Sequence, residues 1–141
     1  FFIAGFETSS TTMAYGLYEL AKNPEVQTKL RNEILEALKE TDGKLTYEMV
    51  TTLPYLHMVL LESLRLHPIL LWLDRLSGKN YTFPGTNIIV EKGVPVVIPV
   101  KSLHYNSQYF PNPEKFIPER FSEENIGSIV PFSAGPRRAA R

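Results

Sequence analysis

A glutamate and an arginine sit three residues apart inside one of the most apolar runs of the chain, LLESLRLHP, residues 60–68. Pro54 opens the surrounding segment and Pro68 closes it, because proline lacks the amide that a helix interior needs. The spacing predicts a helix from Pro54 to about His67. On that helix Glu62 and Arg65 share a face, among Leu60, Leu61, Leu64 and Leu66. A lone ExxR pair reads as an ordinary surface ion pair of little energetic worth. A pair buried among leucines must instead have its desolvation met by further hydrogen bonds. Arg120, in the apolar segment FIPERF (residues 116–121), is a spare guanidinium that can supply them. The expected triad of Glu62, Arg65 and Arg120 is a structural clamp, not a catalyst.

Upstream the chain also reads as helical. Residues 1 to about 22 form one candidate helix, with Gly5 and the run Thr8, Ser9, Ser10, Thr11, Thr12 inside it. Those residues are poor interior helix formers, and their hydroxyls can bond back to carbonyls and bend the helix. The glycine leaves room for close approach to the backbone. Glu7 and Thr8 put a carboxylate beside a hydroxyl, a pair able to pass protons through water; the plain alternative is a bent amphipathic helix with a solvated glutamate. Asn23 is the expected cap of a second helix with Pro24 at its first position. Val26, Leu30, Ile34 and Leu38 give it one apolar stripe. Asp42-Gly43 ends it, and Thr46 to Thr52 reads as a short helix.

The second half changes character. Tyr81 to Phe83, Asn87 to Val90 and Val94 to Val100 read as strands, separated by turns at Pro84-Gly85 and Lys92-Gly93. From Phe110 to Phe121 prolines interleave with Phe110, Phe116, Ile117 and Phe121, which predicts a packed irregular segment. The fold class is mainly α with a small β-sheet.

Charge excludes one class of function. Acidic and basic residues balance at 15 each, so no long-range field draws the chain to nucleic acid. The absence of cysteine excludes disulfides and thiolate metal sites within these residues. No run of about 18 or more apolar residues occurs, so no transmembrane helix is expected. The opening FFIAGFETSS has no basic start and is not a signal peptide. His57, His67 and His104 have no metal-site spacing and read as packing or surface residues.

The last segment, PFSAGPRRAAR (residues 131–141), holds a Gly135-Pro136 turn and Arg137, a fork suited to a carboxylate. Alone this is a generic turn. In order with AGFET (residues 4–8), ESLR (62–65) and PERF (118–121), it resembles the carboxy-terminal half of a cytochrome P-450, a haem-thiolate monooxygenase. The opening most resembles insect microsomal members that act on lipophilic compounds. The resemblance spans the chain and implies a partial cytochrome P-450 fold over residues 1–141, from the long central helix to the start of the haem-binding loop. The amino-terminal part and the part after that loop would be missing.

The resemblance implies roles residue by residue. Glu7 and Thr8 match the acid–alcohol pair that manages proton delivery. Arg75 and Arg137 match arginines that bind haem propionates, and Phe132 packs near the proximal face of haem. Phe1, Ile3 and Ala4, with Ile69, Leu70, Leu71, Trp72 and Leu73, match segments lining the substrate pocket; apart from the Trp72 indole N–H that set is apolar. The implied cofactor is haem iron, with electrons from NADPH through a haemoprotein reductase. The implied substrate is a lipophilic small molecule. The implied location is the cytosolic face of the endoplasmic reticulum membrane, through an anchor outside these residues.

One position departs from the pattern. Ala139 stands where the family has its thiolate cysteine, and Arg141 where a glycine usually follows. Alanine has no ligand atom, so no metal ligand is assigned. Because the motifs hold through Arg137, the expectation is a working monooxygenase whose sequence is altered at residues 138–141. A catalytically dead relative that binds hydrophobic molecules is the alternative.

Overall fold

The computed structural model describes residues 2–122, with the side chain of Ile3 excepted. It is mainly helical, with short antiparallel ladders. Helix α1 spans Phe2–Lys22, α2 Pro24–Glu40, α3 Tyr47–Thr51 and α4 Pro54–Leu66. The hydroxyl run inside α1 back-bonds as expected: Thr8 Oγ1 donates to the Ala4 carbonyl at 2.5 Å and Thr12 Oγ1 to the Thr8 carbonyl at 2.8 Å. Ser9 and Ser10 do the same toward Gly5 and Glu7.

Asn23 stands at the start of α2, but its side chain does not cap that helix. Its Nδ2 donates backward to the Glu19 carbonyl at 2.8 Å, closing the end of α1 instead. Thr46 is a true cap, its hydroxyl accepting from the Met49 amide at 3.1 Å. Asp42 and Gly43 take positive φ values of 51° and 74° after α2, a backbone that aspartate and glycine tolerate.

The stripe along α2 faces inward. Leu30 joins Tyr55, Val59, Leu66 and Phe116 in the core, with Val26 and Ile34 packed against it. Helix α4 lies at the centre, touching α1, α2 and the turn Pro118–Phe121. Its first amides are capped from α2: Glu33 accepts from the Tyr55 and Leu56 N–H groups at 2.7 and 2.9 Å. Close by, the Tyr55 hydroxyl donates to Glu119 Oε1 at 3.1 Å. Burial, with Glu119 and Glu33 alongside, pushes the Tyr55 pKa up to about 12.

The β structure is smaller than the sequence pattern implies. Strand β1 (Leu73–Leu76) pairs antiparallel with β4 (Pro95–Ile98), Leu73 opposite Ile98 and Leu76 opposite Pro95. Strand β2 (Tyr81–Thr82) pairs with β3 (Ile89–Val90). Strand β1 gives no sequence signal because Leu-Asp-Arg-Leu does not alternate. Beyond β4 the chain does not continue as a strand to Val100. It coils into α5 (Val100–His104), the Leu103 amide donating to the Pro99 carbonyl at 3.1 Å. The irregular segment from Phe110 ends in a 3₁₀ turn, Pro118–Phe121. Phe110, Phe116 and Phe121 are buried, which makes the segment packed.

Candidate functional site

Helix α4 carries Glu62 and Arg65 into a space where neither side chain exposes any surface. Arg65 Nε donates to Glu62 Oε2 at 2.7 Å and Nη2 to Oε1 at 2.8 Å. Nη1 donates to the carbonyls of His104 and Pro113 at 2.9 and 2.8 Å, and Nη2 to that of Lys115 at 3.2 Å. Every guanidinium N–H is used. The Phe110 ring stacks near the guanidinium carbon at 5.2 Å. Arg65 thus fixes one carbonyl of α5 and two of the irregular segment to α4.

Arg120 also reaches Glu62, but weakly. Its Nε lies 3.4 Å from Oε1, beyond the usual hydrogen-bond range, while its Nη2 donates to the Asn112 carbonyl at 2.7 Å. The closer partner is the Ile117 amide, which donates to Glu62 Oε1 at 2.9 Å. A backbone group carries no sequence signal, so residue types point to Arg120 and leave Ile117 unseen.

A cleft of ≈ 480 Å³ opens between α1 and the segment after α4. Glu7 and Thr8 line it from α1; Ile69 and Leu71 line it from the other wall. Glu7 is exposed, and because Thr8 donates to Ala4 its hydroxyl meets the cleft as an acceptor. A Cβ on Gly5 would meet nothing within 4 Å, so no described residue needs a glycine there for packing. Ala4, Leu70 and Trp72 are exposed, Leu73 half-buried, and none of the four lines this cleft. The walls are more polar than the apolar set read from sequence, since Thr11, Tyr15, His67 and Lys101 also face it. Phe1, Phe132, Arg137 and Ala139 lie outside the described residues.

The histidines differ from one another. His57 is exposed. His104 is buried, its Nδ1 bonded to the Arg65 carbonyl at 3.1 Å. Burial pulls its pKa below the ordinary value, the Arg65 charge adds to this, and the backbone hydrogen bond opposes it. His67 bonds through Nε2 to Glu19 Oε1 at 2.8 Å. Glu19 is buried and escaped the sequence reading, because its partner lies 48 residues away. The available signal was its place four residues after Tyr15 and eight after Thr11 on α1. No cluster of three or more potential metal ligands occurs among the described residues.

Comparison with known proteins decides the family. The Cytochrome P450 family model matches residues 1–138. The chain belongs to the cytochrome P450 family. Probable cytochrome P450 6a13 of Drosophila melanogaster is 50% identical to it, over 97% of this chain and 29% of the relative. Cytochromes P450 6k1 and 9e2 of Blattella germanica are 49% and 48% identical, each over 27% of the relative's length. This cytochrome P450 chain therefore spans less than a third of the curated relatives it matches.

The family implies haem. Arg75, the described residue that the resemblance gives to a haem propionate, is chemically suited to one: it is exposed on β1, and its one side-chain hydrogen bond among the described residues runs from Nη1 to the Asp74 carbonyl at 2.7 Å. Guanidinium donors are thus left for a carboxylate. At the iron the residues present do not fit, because the 141 residues include no cysteine and Ala139 offers no donor atom.

Proposed function

We propose that this chain is the carboxy-terminal-half portion of a haem monooxygenase that oxidises lipophilic small molecules with dioxygen. Electrons come from NADPH through a haemoprotein reductase, at the endoplasmic reticulum membrane. The observation that carries the reading is the juxtaposition of Glu7, Thr8, Ile69 and Leu71 around one cleft, in a chain whose family is established. Among the described residues no helix is long and apolar enough to cross a membrane, so the membrane assignment rests on the likeness to microsomal insect enzymes.

When bound, haem supplies dioxygen activation. The chain's own residues bind, orient and move protons around it. Arg75 and Arg137 would offer their forks to the haem propionates, and Phe132 would pack against the macrocycle. Glu7 exchanges protons with water, and the adjacent Thr8 oxygen accepts hydrogen bonds from the waters that carry them at the cleft. Ile69 and Leu71 give the cleft its apolar wall for an apolar substrate; Phe1, Ile3, Ala4, Leu70, Trp72 and Leu73 join the pocket by the family resemblance alone. Glu62, Arg65 and Arg120 play no chemical part; they fix the segment that leads into the haem loop. No step is derived at the iron, because Ala139 cannot ligate it. A functional enzyme requires a cysteine at position 139.

Ala139 itself favours a second reading, a relative without catalysis that binds hydrophobic molecules. The two separate on turnover. Full-length protein is incubated with NADPH, reductase, dioxygen and a panel of lipophilic compounds. The first reading predicts oxygenated product with labelled oxygen from dioxygen. Tight binding of the same compounds with no product supports the second.

A further inference from the structure

The wall of the cleft opposite Glu7 and Thr8 starts at one residue, His67, which ends α4 and precedes Pro68. His67 is held from three directions. Its ring stacks on Tyr15, with centroids 4.2 Å apart and planes within 3°, and meets the Tyr18 ring edge-on at 6.3 Å. Its amide donates to the Ser63 carbonyl at 2.8 Å. Its Nε2 lies 2.8 Å from Glu19 Oε1. A carboxylate only accepts, so Nε2 carries the shared proton.

Glu19 is an expensive residue to place there. It is 4% exposed on α1, and an acidic group buried without good partners costs stability. Among the described residues its other oxygen is served only at longer range, by Asn23 Nδ2 at 3.4 Å and Lys22 Nζ at 3.6 Å. An apolar residue at position 19 would fill the space without that cost, but would give His67 no acceptor. Glu7, Thr11, Tyr15 and Glu19 follow one another at intervals of four, which puts them on one face of α1. That face carries the acid–alcohol pair near one end and the grip on His67 near the other.

We propose that Glu19, acting through His67 and the Tyr15 stack, is a positioning residue that sets the wall carrying Pro68, Ile69 and Leu71 against the Glu7–Thr8 face, and so selects substrates by bulk. This use of the cleft rests on the monooxygenase reading; the positioning itself does not. Farther along the wall, the Leu71 carbonyl accepts from the Lys101 amide at 3.2 Å. Loss of the Glu19 contact therefore frees the stretch between His67 and Leu71 first.

The test uses full-length protein and hydrogen exchange at the amides of residues 69–73. Glu19→Leu and His67→Phe are expected to speed exchange there by about tenfold, the scale of one lost charge-assisted hydrogen bond. Amides of α2 should keep their rates. Glu19→Gln keeps an acceptor and should stay within about twofold of wild type. If Glu19→Leu does not fold, His67→Phe decides, because a phenyl ring retains the stack on Tyr15. Unchanged exchange at 69–73 overturns the proposal, and so does faster exchange spread evenly over α2. Where turnover is measurable, the ratio of KM for a bulky and a slim apolar substrate should shift by about fivefold in Glu19→Leu, with kcat nearly constant. Local exchange gains with no shift in that ratio would overturn the substrate-selecting role and leave the contact as packing. An inactive protein with the local exchange change would defeat the monooxygenase reading while sustaining the positioning.

Discussion

Arg65 and His104 hold each other twice. Arg65 Nη1 donates to the His104 carbonyl at 2.9 Å, and His104 Nδ1 bonds to the Arg65 carbonyl at 3.1 Å. The ring is buried beside a permanent cation, so its protonated form is disfavoured. In the unfolded chain it titrates near ~6.5. The unfolded state therefore binds the proton first as pH falls, and stability drops below that value. Urea midpoints of the full-length protein between pH 7.5 and pH 5 should fall, and His104→Gln should flatten the slope. An equal slope in the variant assigns the acid sensitivity to another group.

Arg65→Lys should be nearly as damaging as removal of the arginine. A lysine offers three donors from one point and cannot follow the planar fork to Glu62 and three carbonyls. Breaking a buried pair costs about 3–5 kcal/mol, so little folded protein is expected on expression. Arg120→Ala should cost far less, about 1 kcal/mol, because the Ile117 amide remains on Glu62. Equal losses for the two variants would contradict this ranking. Unfolding midpoints read it directly.

Glu33→Ala removes both acceptors from the first turn of α4. The loss of a helix cap is worth about 1–2 kcal/mol. Circular dichroism melting should show it, with Glu33→Gln in between because one acceptor survives. An unchanged melting temperature would show that water replaces the carboxylate at no cost.

Thr8→Ala removes the hydroxyl at the cleft and, with it, the bond to the Ala4 carbonyl. Proton delivery by a positioned group contributes about 10²–10⁴-fold. NADPH consumption should continue while product formation falls by about a hundredfold. Product formation at the wild-type rate would remove Thr8 from the relay.

Local physics made much of this fold legible. Prolines at positions 24, 54 and 68 and the four-residue stripe along α2 mark α2 and α4, because each signal acts within a turn or two. Asn23 misled, since its amide found a carbonyl behind it before an amide ahead. Strand β1 and α5 were illegible for a different reason: their partners lie far along the chain, and four or five residues hold too little periodicity. At the site, Glu62, Arg65 and Arg120 stood out as charges among leucines and prolines. Glu19, Glu33 and the Ile117 amide did not, because an acidic residue in a polar helix stretch looks solvated until the element that buries it is in place.

The haem-thiolate assignment is tested most directly by the absorption spectrum of the full-length protein after reduction and addition of carbon monoxide, read beside a peptide mass map covering residue 139. The predicted result is the red-shifted Soret band of a thiolate-ligated haem, with a cysteine at position 139. An unshifted band or an inability to hold haem, with alanine verified at 139, would contradict it.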